Sequence, residues 1–276
     1  MVWATRLGFA HLASLVLLIT LAIDSAGPAA AARRAPLRPL ELGAPLHVGA
    51  SLGGSVSAVG HPSHNRAPDP NFLWACSSNW RSAKCTRLAL RAIKHARAAE
   101  GVKHPALRLP RNYAKLSVAE QTFVVTNLER VARGLRPFIG LTRPLNMVSH
   151  AAAVARIDPD PVLSLLRKLN IFEYGSNWAG DFGPLASDYD WMYNDGYAPN
   201  AVNIACLTPR SSGCWGHRDN ILSAYHDSPA LLAGAGTATP AGASIATIMS
   251  GSRSKAAQFT YTWRAAKRHG AGKRHS

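Results

Sequence analysis

The chain reads as an α+β domain, and three observations predict it. Helical periodicity fills residues 86–195, whereas β-branched and aromatic alternation takes over after residue 230, with Pro-Ala-Gly and Gly-Ser turns between the late runs. Helices first and strands last place helices against a sheet. With 276 residues, 47% hydrophobic content and 8% aromatics, the chain can bury an ordinary core, so one domain with flanking segments is expected.

Met1 to Ala32 has the form of a secretory signal: Arg6 supplies the positive start, Gly8 to Ile23 the apolar stretch, and Ala29 to Ala32 the small-residue cleavage site. It is too short and too alanine-terminated to favour a lasting membrane span, although an uncleaved anchor is the alternative. The mature chain is expected outside the cell, without a transmembrane span. Residues 33–70 are rich in Ala, Pro, Gly and Ser, with Pro36, Pro39, Pro45, Pro62, Pro68 and Pro70 breaking any period, which predicts a linker.

Residues 71–115 predict a disulfide-bonded helical extension. Phe72, Leu73, Trp74 and Trp80 surround the first cysteines, and Thr86 to Glu100 has helical composition ending at Gly101. Leu90 and Ile93 share its inner face, leaving Arg87, Arg91, Lys94 and Arg97 on a cationic outer side. In an exported chain the four cysteines are expected to be oxidised, and Cys76, Cys85, Cys206 and Cys214 fall into two local couples, Cys76 with Cys85 and Cys206 with Cys214. No Cys-x-x-Cys pair or Cys/His cluster has zinc spacing, so neither a structural metal nor thiol redox chemistry is expected.

Ser117 and Glu120 have the spacing of a capping box, and Val124, Leu128, Val131 and Leu135 then form one apolar stripe, with Asn127 and Arg130 off it. Thr142 and Pro144 open a second helix with Leu145, Val148, Ala152 and Ala155 inward. Asp160-Pro161 opens a short helix, and another runs from Pro184 to about Asp195. Leu231 to Thr239, Ser244 to Met249 and Gln258 to Trp263 predict an antiparallel meander. The tail 264–276 has cations, glycine and no apolar pattern, which predicts disorder.

The formal charge is +16, from 31 basic and 15 acidic residues. Such a surface attracts anionic wall polymers, lipid headgroups or nucleic acid. Export makes nucleic acid the least expected of these. No acid follows Asp227, so a basic envelope surrounds a more acidic centre.

That centre holds the densest chemistry, the run from Gly213 through Cys214, Trp215, Gly216, His217, Arg218, Asp219 and Asn220 to Ile221 and Leu222. Glycines allow close backbone approach, the aliphatic pair anchors the segment, and a fixed imidazole can be base, acid, ligand or switch. Gly216-His217-Arg218-Asp219-Asn220-Ile221-Leu222 resembles the Gly-His-Arg-x-Asn-Ile-Leu signature of bacterial CAP (SCP-like) domains, the superfamily of cysteine-rich secretory, antigen 5 and pathogenesis-related-1 proteins. Gly175-Ser176-Asn177-Trp178-Ala179 resembles the family's Gly-Glu-Asn-Ile-Ala, Trp191-Met192 its Trp-Met, and Asn127 to Arg130 with Gly134-Leu135 its opening helix, all in family order. The resemblance covers roughly residues 116–263 and implies an α-β-α sandwich with an antiparallel sheet.

CAP domains typically line a cleft with two histidines and two acids, and some members are implied to bind divalent metal. Here His217 matches one histidine, but Ser176 replaces the glutamate, and the segment from Arg156 to Pro161 holds no histidine. Asp188, Asp190 and Asp195 are alternatives for the remaining acid, which spacing does not separate. A metal held by one imidazole and one carboxylate would bind weakly, so no metal or cofactor is expected. A triad of Ser176, His217 and Asp195 can be drawn but lacks the Gly-x-Ser-x-Gly elbow.

The predicted cleft therefore comprises His217, Arg218, Asp219, Asn220, Ser176, Asn177, Asp188 and Asp195. Trp178, Trp191 and Trp215 are candidates for apolar contacts beside it or for core. The leading expectation is a non-catalytic binding module at the cell envelope for lipid, wall polymer or protein, with a hydrophobic small ligand as a further candidate partner. The alternative is an envelope hydrolase acting on peptide or peptidoglycan through His217.

Overall fold

The glycine-rich last third of the chain becomes the middle of a sheet. In the structure, a computed structural model, residues 59–180, 182–195, 215–226, 228–238, 244–254 and 257–273 are described. The leader, most of the linker and the predicted Cys206 to Cys214 couple lie outside the described residues. The strands are β1 (Gly140–Thr142), β2 (Ile171–Ala179), β3 (Ala230–Thr237), β4 (Ile245–Ser252) and β5 (Phe259–Thr262), in the spatial order β2-β4-β3-β1-β5.

The β3–β4 hairpin forms as the alternation predicts, pairing from Ala230 with Ser252 to Thr237 with Ile245. The meander does not continue. β2 takes the other edge of β4, so β5 pairs antiparallel with β1, while β1 runs parallel to β3. The sheet is mixed, not antiparallel, because β1 enters it parallel to β3; with β2 and β3 on the two edges of β4, β5 pairs with β1 instead.

Among the described residues eight α-helices surround the sheet: α1 (Leu73–Asn79), α2 (Ala83–Ala99), α3 (Val118–Ala132), α4 (Arg143–Ala155), α5 (Leu163–Lys168), α6 (Pro184–Tyr193), α7 (Gly216–Leu222) and α8 (Trp263–Arg268). None is long and apolar enough to cross a membrane. Strand alternation sends Leu231, Ala233, Ala235, Ile245 and Met249 to one face, where they meet Val124 and Leu128 of α3, Tyr189 and Met192 of α6, and Ile221 and Leu222 of α7. Ala230, Leu232 and Ile248 point the other way, onto Leu145 of α4 and Leu166 of α5.

The second face is packed almost backbone to backbone. A Cβ on Gly234 would overlap Leu145, and one on Gly236 would overlap the backbone at Ser149 and His150. Small residues on α4 (Ser149, Ala152 and Ala153, all buried) complete that approach. On the first face α3 is the central helix. Its capping box is formed, with Glu120 N–H donating to Ser117 Oγ at 3.3 Å and Ser117 N–H to Glu120 Oε2 at 2.8 Å. It is buried on every side from Gln121 to Arg130, not on one stripe.

That central position alters three readings. Arg97, expected on a solvated side of α2, is 2% exposed because α2 packs against α6, which also packs on α3, and Glu129 of α3 faces it. The predicted linker is already packed by its last residues: Asn65 is fully buried, and Arg66 N–H donates to Tyr193 O at 2.8 Å. The predicted disordered tail is ordered to Lys273, since Ala266 and Ala271 are buried and Gly272 N–H donates to Arg108 O at 2.9 Å. Prolines and cations hid both contacts, which rest on a few small side chains and on backbone bonds. The extension shares the main core through Phe72, Ala89 and Ile93. Cys76 and Cys85 are bonded, tying α1 to α2, a loop closure that contributes about 2.5 kcal/mol.

Candidate functional site

Helix α7 is held by the other motif-bearing segments. Trp215 precedes it in the left-handed region (φ 68°), buried, and Ile221 and Leu222 sink into the core. Asn220 Nδ2 donates to Ser176 O at 2.9 Å and Asn177 Oδ1 at 3.0 Å, and Asn177 Nδ2 donates to His217 O at 3.0 Å. Gly175 makes this possible, because a Cβ there would overlap the Asn220 side chain. From α3, the buried Arg130 donates to Ile221 O and to Ser223 O at 2.9 Å, closing the far end of α7 with a cation. Asn127 exchanges two hydrogen bonds with the Phe138 backbone. Both off-stripe residues of α3 are therefore scaffold.

His217 sits between two carboxylates. Its Nδ1 is 2.7 Å from Asp195 Oδ1, its backbone N–H donates to Asp195 Oδ2 at 3.3 Å, and its Nε2 lies 3.4 Å from Asp158 Oδ1. Burial opposes the charged imidazole, but the charge of Asp195, the contact with Asp158 and the hydrogen bond to Asp195 outweigh it and push the pKa up to about 10. That direction favours the imidazolium near neutral pH, hydrogen-bonded to Asp195 through Nδ1 and ion-paired with Asp158 through Nε2. It keeps 28% exposure, so it borders solvent.

Asp219 points to a different histidine. His61 Nε2 lies 2.8 and 3.0 Å from its two oxygens, and the His61 ring stacks on Trp215 at 5.9 Å. Burial raises the Asp219 pKa, and His61 acts against that rise. His61 belongs to a strap, residues 59–67, that also donates from Asn65 Nδ2 to Asp195 O at 2.7 Å and accepts from Tyr189 Oη at Arg66 O and Ala67 O. Between strap, α2 and α3 opens a cleft of about 540 Å³ whose lining includes His61, Arg66, Glu100, Lys103, Arg133 and Arg218.

Arg218 points inward, from the same helix. It donates bidentately to Glu100, at 3.0 Å from each nitrogen, and to Met192 O at 2.6 Å. Glu100 also accepts from Arg133 at 2.7 Å, Arg133 contacts Glu129, and Glu129 pairs with Arg97 at 3.7 Å and accepts from Tyr193 Oη at 2.9 Å. Charges thus alternate through Arg97, Glu129, Arg133, Glu100 and Arg218 across three helices. Burial raises the Glu129 pKa, but the guanidiniums of Arg97 and Arg133 win and hold it below the ordinary value. Burial and the charge of Glu129 push Asp188 well up, and neither of its oxygens has a hydrogen-bond partner.

The structure brings together His217, Asp195, Asn177 and Asn220, with Arg218 and Asp219 on neighbouring sides of α7. It does not bring Ser176 to His217. Gly175 and Asn177 face α7, so strand alternation turns Ser176 to the opposite face, where its Oγ is buried without a hydrogen-bond partner. The Ser176, His217 and Asp195 triad is therefore not assembled. Asp188 belongs with Glu129 and not with His217; of the three candidate acids, Asp195 reaches the imidazole. Trp191 and Trp215 are core, and Trp178 is half-buried, with Nε1 donating to Ser244 Oγ.

Two participants were not anticipated, Asp158 and His61. Asp158 lies in the segment from Arg156 to Pro161, where its acid type is the one signal; His61 lies among linker prolines and carries none. Among the described residues no group of three or more His, Cys, Asp or Glu is arranged to hold a metal ion. No family model, curated protein or solved structure matches the chain.

Proposed function

We propose that the chain is a secreted, CAP-like α-β-α protein that works at the cell envelope as a non-catalytic binding module. The observation that carries this reading is the imidazole of His217, engaged by a carboxylate at each nitrogen and raised to a pKa of about 10. A base for turnover needs a free lone pair near neutral pH, which such an imidazolium lacks. The motif segments resembling the CAP pattern are also those that knit α7 to β2 and α3, which supports the family reading. The adjoining cleft, where Arg66 and Lys103 are the lining cations not committed to Glu100, favours a polyanionic ligand such as a wall polymer.

The test is retention on isolated envelopes and on purified anionic wall polymer. Retention that falls with salt, and several-fold further in Arg66→Ala/Lys103→Ala, is expected. Salt-insensitive retention overturns the electrostatic part. A second reading, an envelope hydrolase, is favoured by the 2.7 Å bond between Asp195 and His217, the orientation a catalytic histidine requires. Release of peptide, ester or peptidoglycan fragments that disappears in His217→Ala would establish it in place of the binding reading.

A further inference from the structure

Five of the seven large apolar side chains exposed among the described residues fall within residues 147–163: Met147 (64%), Val154 (59%), Ile157 (56%), Val162 (66%) and Leu163 (54%). On α4, Arg143, Met147, Ala151 and Val154 follow one another at helical spacing and share the side away from the buried Leu145, Ser149 and Ala152. On α5, Leu163 and Arg167 are likewise one turn apart. Both helices cover the same face of the sheet through Leu145 and Leu166, so their outer sides are turned away from the sheet in the same direction.

Cations outnumber acids on this surface by four to two. Arg143, Arg156, Arg167 and Lys168 are exposed within the same stretch, Arg156 also leaning over the Trp178 ring at 5.7 Å. Asp158 and Asp160 are the acids of residues 143–168, and each already has a partner: Asp158 faces His217, and Asp160 accepts from Tyr174 Oη at 2.9 Å.

We infer that the outer surface of α4 and α5 docks on an anionic phospholipid bilayer, with Met147, Val154, Ile157, Val162 and Leu163 entering the headgroup boundary and the four cations resting among phosphates. A polyanionic wall polymer would use the cations and gain nothing from exposed aliphatic groups. A protein partner would favour aromatic anchors, which the patch lacks. Long basic side chains beside a shallow aliphatic patch suit the bilayer interface, where the stems stay in apolar surroundings and the heads reach phosphate. None of the residues lining the cleft takes part, so this surface goes beyond the binding reading given above.

The experiment is sedimentation of the full chain with vesicles of phosphatidylglycerol mixed with phosphatidylcholine, and with phosphatidylcholine alone. Any pull from the N-terminal segment is common to all variants. Binding to the anionic vesicles is expected to exceed binding to neutral ones. It should fall at least about tenfold in Met147→Asp/Val154→Asp, two exposed positions whose replacement leaves the core intact, as the circular dichroism spectrum checks. Arg143→Gln/Arg167→Gln should lose the preference for phosphatidylglycerol, whereas Arg66→Ala/Lys103→Ala should bind vesicles like the unaltered chain. Unchanged vesicle binding in Met147→Asp/Val154→Asp would overturn the proposal, and so would a self-association that this variant abolishes while vesicle binding persists. Because the cleft variant is read on wall polymer and the α4 variant on vesicles, failure of one proposal is distinguishable from failure of the other.

Discussion

His217 and Arg218 are neighbours in the chain, yet the environments they enter are opposites. Arg218 is 1% exposed and ends a closed series of alternating charges, each cation sharing a carboxylate with the next. His217 keeps 28% exposure and stands alone between Asp158 and Asp195, one cation against two anions at the border of solvent. The first arrangement is turned into the core and joins α2, α3 and α7. The second borders solvent, with its pKa raised by the two carboxylates. Chemistry by residue type would rank the histidine as reactive and the arginine as surface, whereas burial and partners make the arginine structural and favour the cationic form of the histidine.

The buried series should respond most to damage. Glu129→Ala removes the carboxylate between Arg97 and Arg133 and leaves two buried guanidiniums short of a counter-charge, an expected loss of about 3–5 kcal/mol in urea unfolding. A loss below about 1 kcal/mol would mean that water reaches these groups and that the contrast with His217 is one of degree.

How much of this contrast was legible in the sequence depends on the range of the interaction. The capping box at Ser117 and Glu120, the start of α4 at Pro144 and the bond between Cys76 and Cys85 are local, and each is present. β2 was read as a motif and not as a strand, because Gly175, Ser176 and Asn177 have low strand propensity and the strand is buried on both faces, which erases alternation. Arg97 and Glu129 look like the solvated side of their helices until α2, α3 and α6 are packed together. For the site, His217 and Asn220 were legible from composition and spacing, and Asp195 stood among three candidates. Its contact with His217 spans 22 positions, and that of His61 with Asp219 spans 158, through chain segments whose course no local pattern specifies.

The link between the two regions is Asn220, which crosses from α7 to β2 over Gly175. Gly175→Ala should cost about 1–3 kcal/mol by overpacking, since the new methyl overlaps the Asn220 side chain. If α7 turns as a unit, backbone amide shifts will move at both His217 and Arg218. Movement confined to His217 would show that the ionic series holds Arg218 independently of β2.

The smallest effect concerns a proton, and its sign is fixed by the direction of the shift. The folded-state pKa of His217 is raised to about 10 from 6.5, so its contribution is fully present below pH 6.5 and is lost as the pH rises through about 10. His217→Gln should therefore be less stable than the unaltered chain by about 1 kcal/mol near pH 6, a value between that of a charged hydrogen bond and that of a solvent-screened ion pair. That gap should close as the pH passes the folded-state pKa. Urea midpoints of both proteins across this range measure it, because lysines and tyrosines titrating there are common to the two and cancel in the difference. An imidazole proton resonance that titrates with a midpoint near 6.5 would place His217 outside the influence of Asp158 and Asp195. The ring would then be free to act as a base, and the distinction from Arg218 would become one between a catalytic candidate and a structural ion.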